Sequence, residues 1–133
     1  MRPGFLSSSR KMRKVYFTNS SFQFSAHGLA YDNPGKMAVN AVFQSASPDN
    51  YCREGREEID FLITRDGKVI PIEVKYGAYE PDRIFTMIKK LGLSYGIIVS
   101  RGEYRKYDMD GVKIRIIALW LFVLYPERIE GIQ

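Results

Sequence analysis

The sequence holds one cysteine and one histidine, Cys52 and His27, among 133 residues. A single thiol cannot close an internal disulfide, and one Cys with one His cannot furnish a Cys/His zinc site. Long apolar runs are also lacking. The longest, Ile114–Tyr125, contains Arg115 and falls well short of the roughly 20 residues a membrane span needs. Met1–Lys14 carries bases and serines but no apolar core, so no secretory signal is expected. A Gly-x-x-x-x-Gly-Lys-Ser/Thr phosphate loop does not occur, which removes the P-loop nucleotide-binding class. No internal repeat or low-complexity linker is visible. What remains is the profile of one soluble domain in a reducing, cytoplasmic compartment.

Charge of one sign is missing from the start of the chain. Arg2, Arg10, Lys11, Arg13 and Lys14 precede residue 15 with no acid among them. The other 15 of the 20 Lys and Arg balance the 15 Asp and Glu, so the +5 net charge sits in the arm. Residues 1–14 therefore read as a basic arm before a single domain over 15–133. Such an arm either contacts phosphate or serves as a solvated tail.

The punctuation sets the element order. Val15–Thr18 is a candidate short strand, Asn19–Ser21 a turn, and Phe22–Tyr31 has no clear period. After the Asn33-Pro34-Gly35 turn, Met37, Ala38, Ala41, Val42 and Ala46 recur at helical spacing, which predicts a helix over 36–46. Glu57–Thr64 and Val69–Lys75 flank Asp66-Gly67, a strong signal for a type I′ β-hairpin. Pro81 can open a helix whose Ile84, Phe85, Ile88 and Leu91 form one stripe and which Gly92 ends. Tyr95–Ser100 reads as a buried strand, Asp108–Gly111 as a turn, and Val112–Ala118 as another strand. Leu119–Tyr125 reads as a terminal helix that packs down, with Trp120 in the core. The order α-β-β-α-β-β predicts an α/β fold with a mixed sheet.

The hairpin carries the chemistry. With Asp66-Gly67 central, Arg65 faces Lys68, Leu62 faces Pro71, Asp60 faces Glu73 and Glu58 faces Lys75. The period of two places all of these on one face, and Ile59, Phe61, Ile63, Ile70, Ile72 and Val74 on an apolar face that packs inward. Pro71 falls in a non-hydrogen-bonded pair, where its missing N–H costs the ladder nothing. Asp60 and Glu73 fall in another, with Cβ atoms roughly 4.5–5.5 Å apart. Two facing carboxylates repel unless a divalent cation lies between them or Lys75 and other bases neutralise them. The same charges also fit the wet face of an antiparallel sheet.

At these residues the chain resembles the PD-(D/E)XK nuclease superfamily, whose site is an acid on one strand and an acid-x-Lys on the next. The matching residues are Asp60 and Glu73-Val74-Lys75. More closely, Glu58-Ile-Asp-Phe-Leu and Ile70-Pro-Ile-Glu-Val-Lys-Tyr look like the C-terminal nuclease-like domain of archaeal-type ATPases. Lys14-Val-Tyr-Phe, Gly35-Lys-Met-Ala, Asn40-Ala-Val-Phe and Ala118-Leu-Trp-Leu-Phe extend the likeness over residues 13–125.

The resemblance implies a restriction-endonuclease-like mixed β-sheet flanked by helices. It also implies a magnesium (or manganese) site on Asp60 and Glu73, with Lys75 orienting water or stabilising the charged transition state. Such domains commonly carry a further glutamate on the first helix. Val39 stands there, and Glu58 is the nearby substitute on the right face. The upstream nucleotide-binding and winged-helix parts of such ATPases have no counterpart here.

Three functions follow as alternatives. They are a metal-dependent DNA phosphodiesterase, a catalytically degenerate fold that binds nucleic acid, and a module that docks on an ATPase partner or pairs with itself. Candidate DNA contacts are Arg10, Lys11, Arg13 and Lys14 of the arm, with Lys89 and Lys90 at the end of the second helix. Those two lysines equally answer the helix dipole. Arg53 and Arg56 are phosphate contacts or solvated charges, and Tyr76 and Tyr79 either stack on a base or pack. Cys52 and His27 carry no assignment.

Overall fold

Asp66 and Gly67 both adopt positive φ, 50° and 74°. This is the backbone that a two-residue type I′ turn demands. It joins β2 (Glu57–Arg65) to β3 (Lys68–Lys75) in the expected register, from Arg65↔Lys68 through Leu62↔Pro71 to Phe61↔Ile72. The computed structural model describes residues 33–46, 50–54 and 57–125, with the side chains of 50–57 excepted. The basic arm, the candidate strand at 15–18, His27 and Arg56 lie outside the described residues, as do the side chains of Cys52 and Arg53.

The first helix, α1, spans Pro34–Ala46. It starts two residues earlier than the periodicity predicts because Asn33 caps it. The Asn33 Oδ1 accepts the Lys36 N–H at 3.0 Å, and Pro34 takes the first helical position, where no N–H is needed. β1 (Asn50–Glu54) precedes the hairpin and pairs antiparallel with β2. After β3 comes α2 (Pro81–Lys90), then β4 (Tyr95–Ser100), β5 (Arg105–Met109), β6 (Val112–Ala118) and α3 (Leu119–Leu124).

The second helix ends in a Schellman motif. Gly92, at φ 68°, donates to the Lys89 carbonyl and Leu93 donates to the Ile88 carbonyl.

The six strands form one open sheet in the order β1-β2-β3-β4-β6-β5. β4 is parallel to both β3 and β6, and the other pairs are antiparallel. The sheet is therefore mixed and flanked by helices, an α/β fold. On one face, Ala38, Val42 and Ala46 of α1 and Phe122 of α3 pack on Phe61, Ile63, Ile72, Ile97, Val99 and Ile117. On the other, Ile84, Phe85 and Ile88 of α2 cover Ile98, Val112, Ile114 and Ile116. α2 approaches β4 closely because Gly96 has no side chain: a Cβ there would overlap Ile88 Cδ1.

Two strands go beyond the expected order. β5 is a polar edge strand whose exposed pattern hides its pairing with β6 through a second positive-φ Asp-Gly turn, Asp110-Gly111. β1 has no apolar alternation to announce it.

Trp120 is not core. It is 60% exposed, because a six-residue helix turns only Phe122 fully inward. Among the described residues no helix is long and apolar enough to cross a membrane.

Candidate functional site

The site begins where the β2–β3 ladder stops. Between Asn50↔Leu62 and Cys52↔Ile59, β1 advances two residues while β2 advances three. The extra residue is a β-bulge spanning Asp60 and Phe61, the kind of irregularity that re-aims a side chain beside a site. Beyond it the period of two is broken. Ile59, expected on the apolar face with Phe61, instead packs with Leu62 and Met87 under α2.

Past Phe61↔Ile72 the two carboxylates replace the backbone ladder. Asp60 Oδ2 accepts the Val74 N–H at 2.8 Å. Glu73 Oε2 accepts the Asp60 N–H at 3.1 Å. Each acid thus anchors to the other strand, and neither is a freely solvated charge. Lys75 Nζ lies 2.8 Å from Glu73 Oε1 and completes the cluster. The predicted juxtaposition of Asp60, Glu73 and Lys75 holds, but by side-chain to backbone bonds across a splayed strand pair. Glu58, expected to face Lys75, pairs through its backbone with Arg53 of β1 and is exposed. The ion pair that Lys75 makes is with Glu73.

Glu73 is buried, with 7% of its surface exposed. Burial first, and the Asp60 charge second, raise its pKa above the usual carboxylate value. Lys75 and the Asp60 N–H pull the other way. The balance leaves an anionic pair that holds a proton more tightly than a solvated glutamate would.

These residues line a pocket of about 650 Å³ together with Glu58, Tyr79, Glu80, Arg83 and Met87. Sequence reasoning missed Arg83 there. The only clue is that it falls in the first turn of the helix that follows the acid-x-Lys strand. Tyr79 also lines the pocket, whereas Tyr76 packs in the opposite core under Arg101, whose guanidinium carbon is 5.8 Å from the ring centroid. Lys89 and Lys90 lie at the far end of α2 and do not line the pocket; Lys89 Nζ is 3.5 Å from Asp110. Val39 packs against the α1 core.

A divalent cation of the magnesium class takes hard oxygen ligands and uses one or two carboxylates, with waters and substrate phosphate completing its shell. Asp60 and Glu73 offer that donor chemistry, and their mutual repulsion is what such an ion would relieve. Among the described residues no group of three or more His, Cys, Asp or Glu converges as a metal cage; Glu58 lines the same pocket as the two clasped acids. The residues present fit magnesium or manganese on a two-carboxylate platform.

A family model described as Domain of unknown function (DUF4143) matches residues 37–122. No curated protein and no solved structure matches the chain. The matched span runs from α1 to the buried Phe122 of α3 and takes in the hairpin and the whole pocket lining, and on this match the chain belongs to the DUF4143 family.

Proposed function

We propose that the pocket is the active site of a magnesium- or manganese-dependent phosphodiesterase of PD-(D/E)XK type that acts on DNA. Asp60 and Glu73 would hold the cation and Lys75 would serve the attacking water. The single observation that carries this reading is the clasp of two like-charged carboxylates, one of them buried, with an ammonium at 2.8 Å on the same pocket wall. A solvated sheet face gains nothing from that arrangement, since like charges brought together out of water destabilise the fold.

When bound, a divalent cation lowers the pKa of its water and screens the phosphate charge. The chain's own residues do the rest. Asp60 and Glu73 are held to fixed backbone N–H groups, so their oxygens are preorganised. Lys75 orients the water by a hydrogen bond and offsets the negative charge that builds on the phosphoryl oxygens as the new P–O bond forms and the bond to the leaving oxygen breaks. Arg10, Lys11, Arg13 and Lys14, with Lys89 and Lys90, are proposed to contact the DNA backbone.

Val39 supports a second reading. A hydrophobic residue packed in the core at the position of the expected helix glutamate leaves two carboxylates where three would serve. That favours a fold that binds nucleic acid, or an ATPase partner or a second copy, without cutting. Plasmid nicking separates the two. The first reading predicts magnesium-dependent nicking that Asp60→Ala abolishes. The second predicts salt-sensitive DNA binding with no nicking by either protein.

A further inference from the structure

Tyr79 and Arg83 stand in the pocket with the carboxylates and have no part in the mechanism above. They follow Lys75 directly in the chain, one in the loop after β3 and the other in the first turn of α2.

Tyr79 is held at its ring and at its hydroxyl. Its ring packs against the apolar cluster beneath α2, and its hydroxyl donates to Glu103 Oε2 at 2.9 Å. Glu103 is itself fixed: its N–H donates to Ser100 Oγ at 2.9 Å, and that hydroxyl donates back to the Glu103 carbonyl at 3.3 Å. Ser100 is buried at the end of β4, in register with Lys75 of β3. Burial and the Glu103 carboxylate push the Tyr79 phenol up to about 12, so the ring stays neutral at working pH. The result is an aromatic wall braced to the end of β4, the strand that runs parallel beside β3 and its Glu73 and Lys75.

Arg83 is exposed, and among the described residues its side chain makes no ion pair or hydrogen bond. The pocket holds Glu58, Asp60, Glu73 and Glu80 against Lys75 and Arg83, and Lys75 is already engaged by Glu73. Arg83 is therefore the pocket cation with no carboxylate partner, left to hold a phosphate other than the one Lys75 serves. An aromatic face beside such a cation suits a nucleotide whose base is unpaired, because a base-paired nucleotide keeps both its faces in the helical stack. A pocket of this size admits one nucleotide-sized group.

We propose that Tyr79 and Arg83 form a nucleotide subsite beside the Asp60–Glu73–Lys75 centre, with Tyr79 stacking one unpaired base and Arg83 holding its phosphate. The preferred substrate is then a single strand, or a duplex frayed at the cut. This rests on the nuclease reading and adds the substrate class to it.

The test is fluorescence anisotropy with a labelled single-stranded oligonucleotide and the matching duplex, using the full chain in calcium to avoid turnover. Wild type should bind the strand more tightly than the duplex. Tyr79→Ala should weaken strand binding about tenfold, as loss of one base stack does. It should leave duplex binding unmoved, and Tyr79→Phe should restore most of the loss. Arg83→Ala should reduce the salt slope for the strand by about 0.7, the share of one phosphate. Strand affinity unchanged in Tyr79→Ala, or lost equally for duplex, overturns the subsite. Plasmid nicking by wild type, run in parallel, separates the two failures. If nicking persists the nuclease reading survives the loss of the subsite, and if wild type neither binds nor nicks both fall.

Discussion

Glu73 holds Asp60 by its backbone: Glu73 Oε2 accepts the Asp60 N–H at 3.1 Å, on the strand position where β2 carries its extra residue. Asp60 in turn holds Glu73's strand by accepting the Val74 N–H. The clasp joins fold and function, because the same four groups close the end of the hairpin and aim both carboxylates at the pocket.

Substitutions at Asp60 should separate these two roles. Asp60→Ala leaves the buried Val74 N–H unpaired and should cost about 1–3 kcal/mol of stability. Asp60→Asn keeps an acceptor for that N–H and should melt within a few degrees of wild type. Both should lose magnesium-dependent nicking. Thermal unfolding beside the nicking assay checks the pair.

Glu73→Gln should stabilise the metal-free protein at neutral pH. The folded pKa of Glu73 is raised, so between its unfolded value, near 4.5, and its folded value the native state holds a proton that the unfolded state has released. Stability from this group is present in full below the unfolded pKa and is lost as pH rises through the folded one. Gln carries no charge and escapes that loss. Melting in chelator should therefore show the variant above wild type at pH 8, with the gap closing toward pH 4.5.

Lys75→Met removes the ammonium at 2.8 Å from Glu73. The Glu73 pKa should rise further, and the rate of nicking should fall by about 10²–10³, the usual worth of one donor aimed at developing charge. Magnesium affinity should change far less than the rate. Single-turnover kinetics with a magnesium titration at each step checks this.

Gly96→Ala should cost about 1–3 kcal/mol, because the new methyl meets Ile88 Cδ1 in a filled core, so that Ile88 must change rotamer or α2 must shift. Since α2 also carries Arg83 and Met87 into the pocket, nicking should fall with stability. Chemical denaturation gives the first and the plasmid assay the second.

Much of this architecture was legible in the residues. Asp66-Gly67 set the hairpin, and Pro71 confirmed its register by falling where no N–H is needed. Ile84, Phe85 and Ile88 announced α2, and the β-branched run at 95–100 announced the central strand. The bulge was not legible, because an extra residue in β2 leaves no composition signal, and for that reason Ile59 was placed on the wrong face. β5 was hidden by its exposed polar pattern, although Asp110-Gly111 repeats the turn signal of the first hairpin. Trp120 was misplaced because an apolar hexapeptide reads as buried all round, whereas one short helix can bury only one side. Asp60, Glu73 and Lys75 were visible from the hairpin period. Arg83 and the Tyr79–Glu103 brace were not, since they come together only through the β3–α2–β4 crossover.

The central claim is that Asp60 and Glu73 share a divalent cation, and calorimetric titration of magnesium into wild type and Asp60→Asn tests it most directly. Saturable binding by wild type that disappears in the variant, while the fold is retained, is the predicted result. Absence of binding by wild type, or equal binding by both proteins, would contradict it.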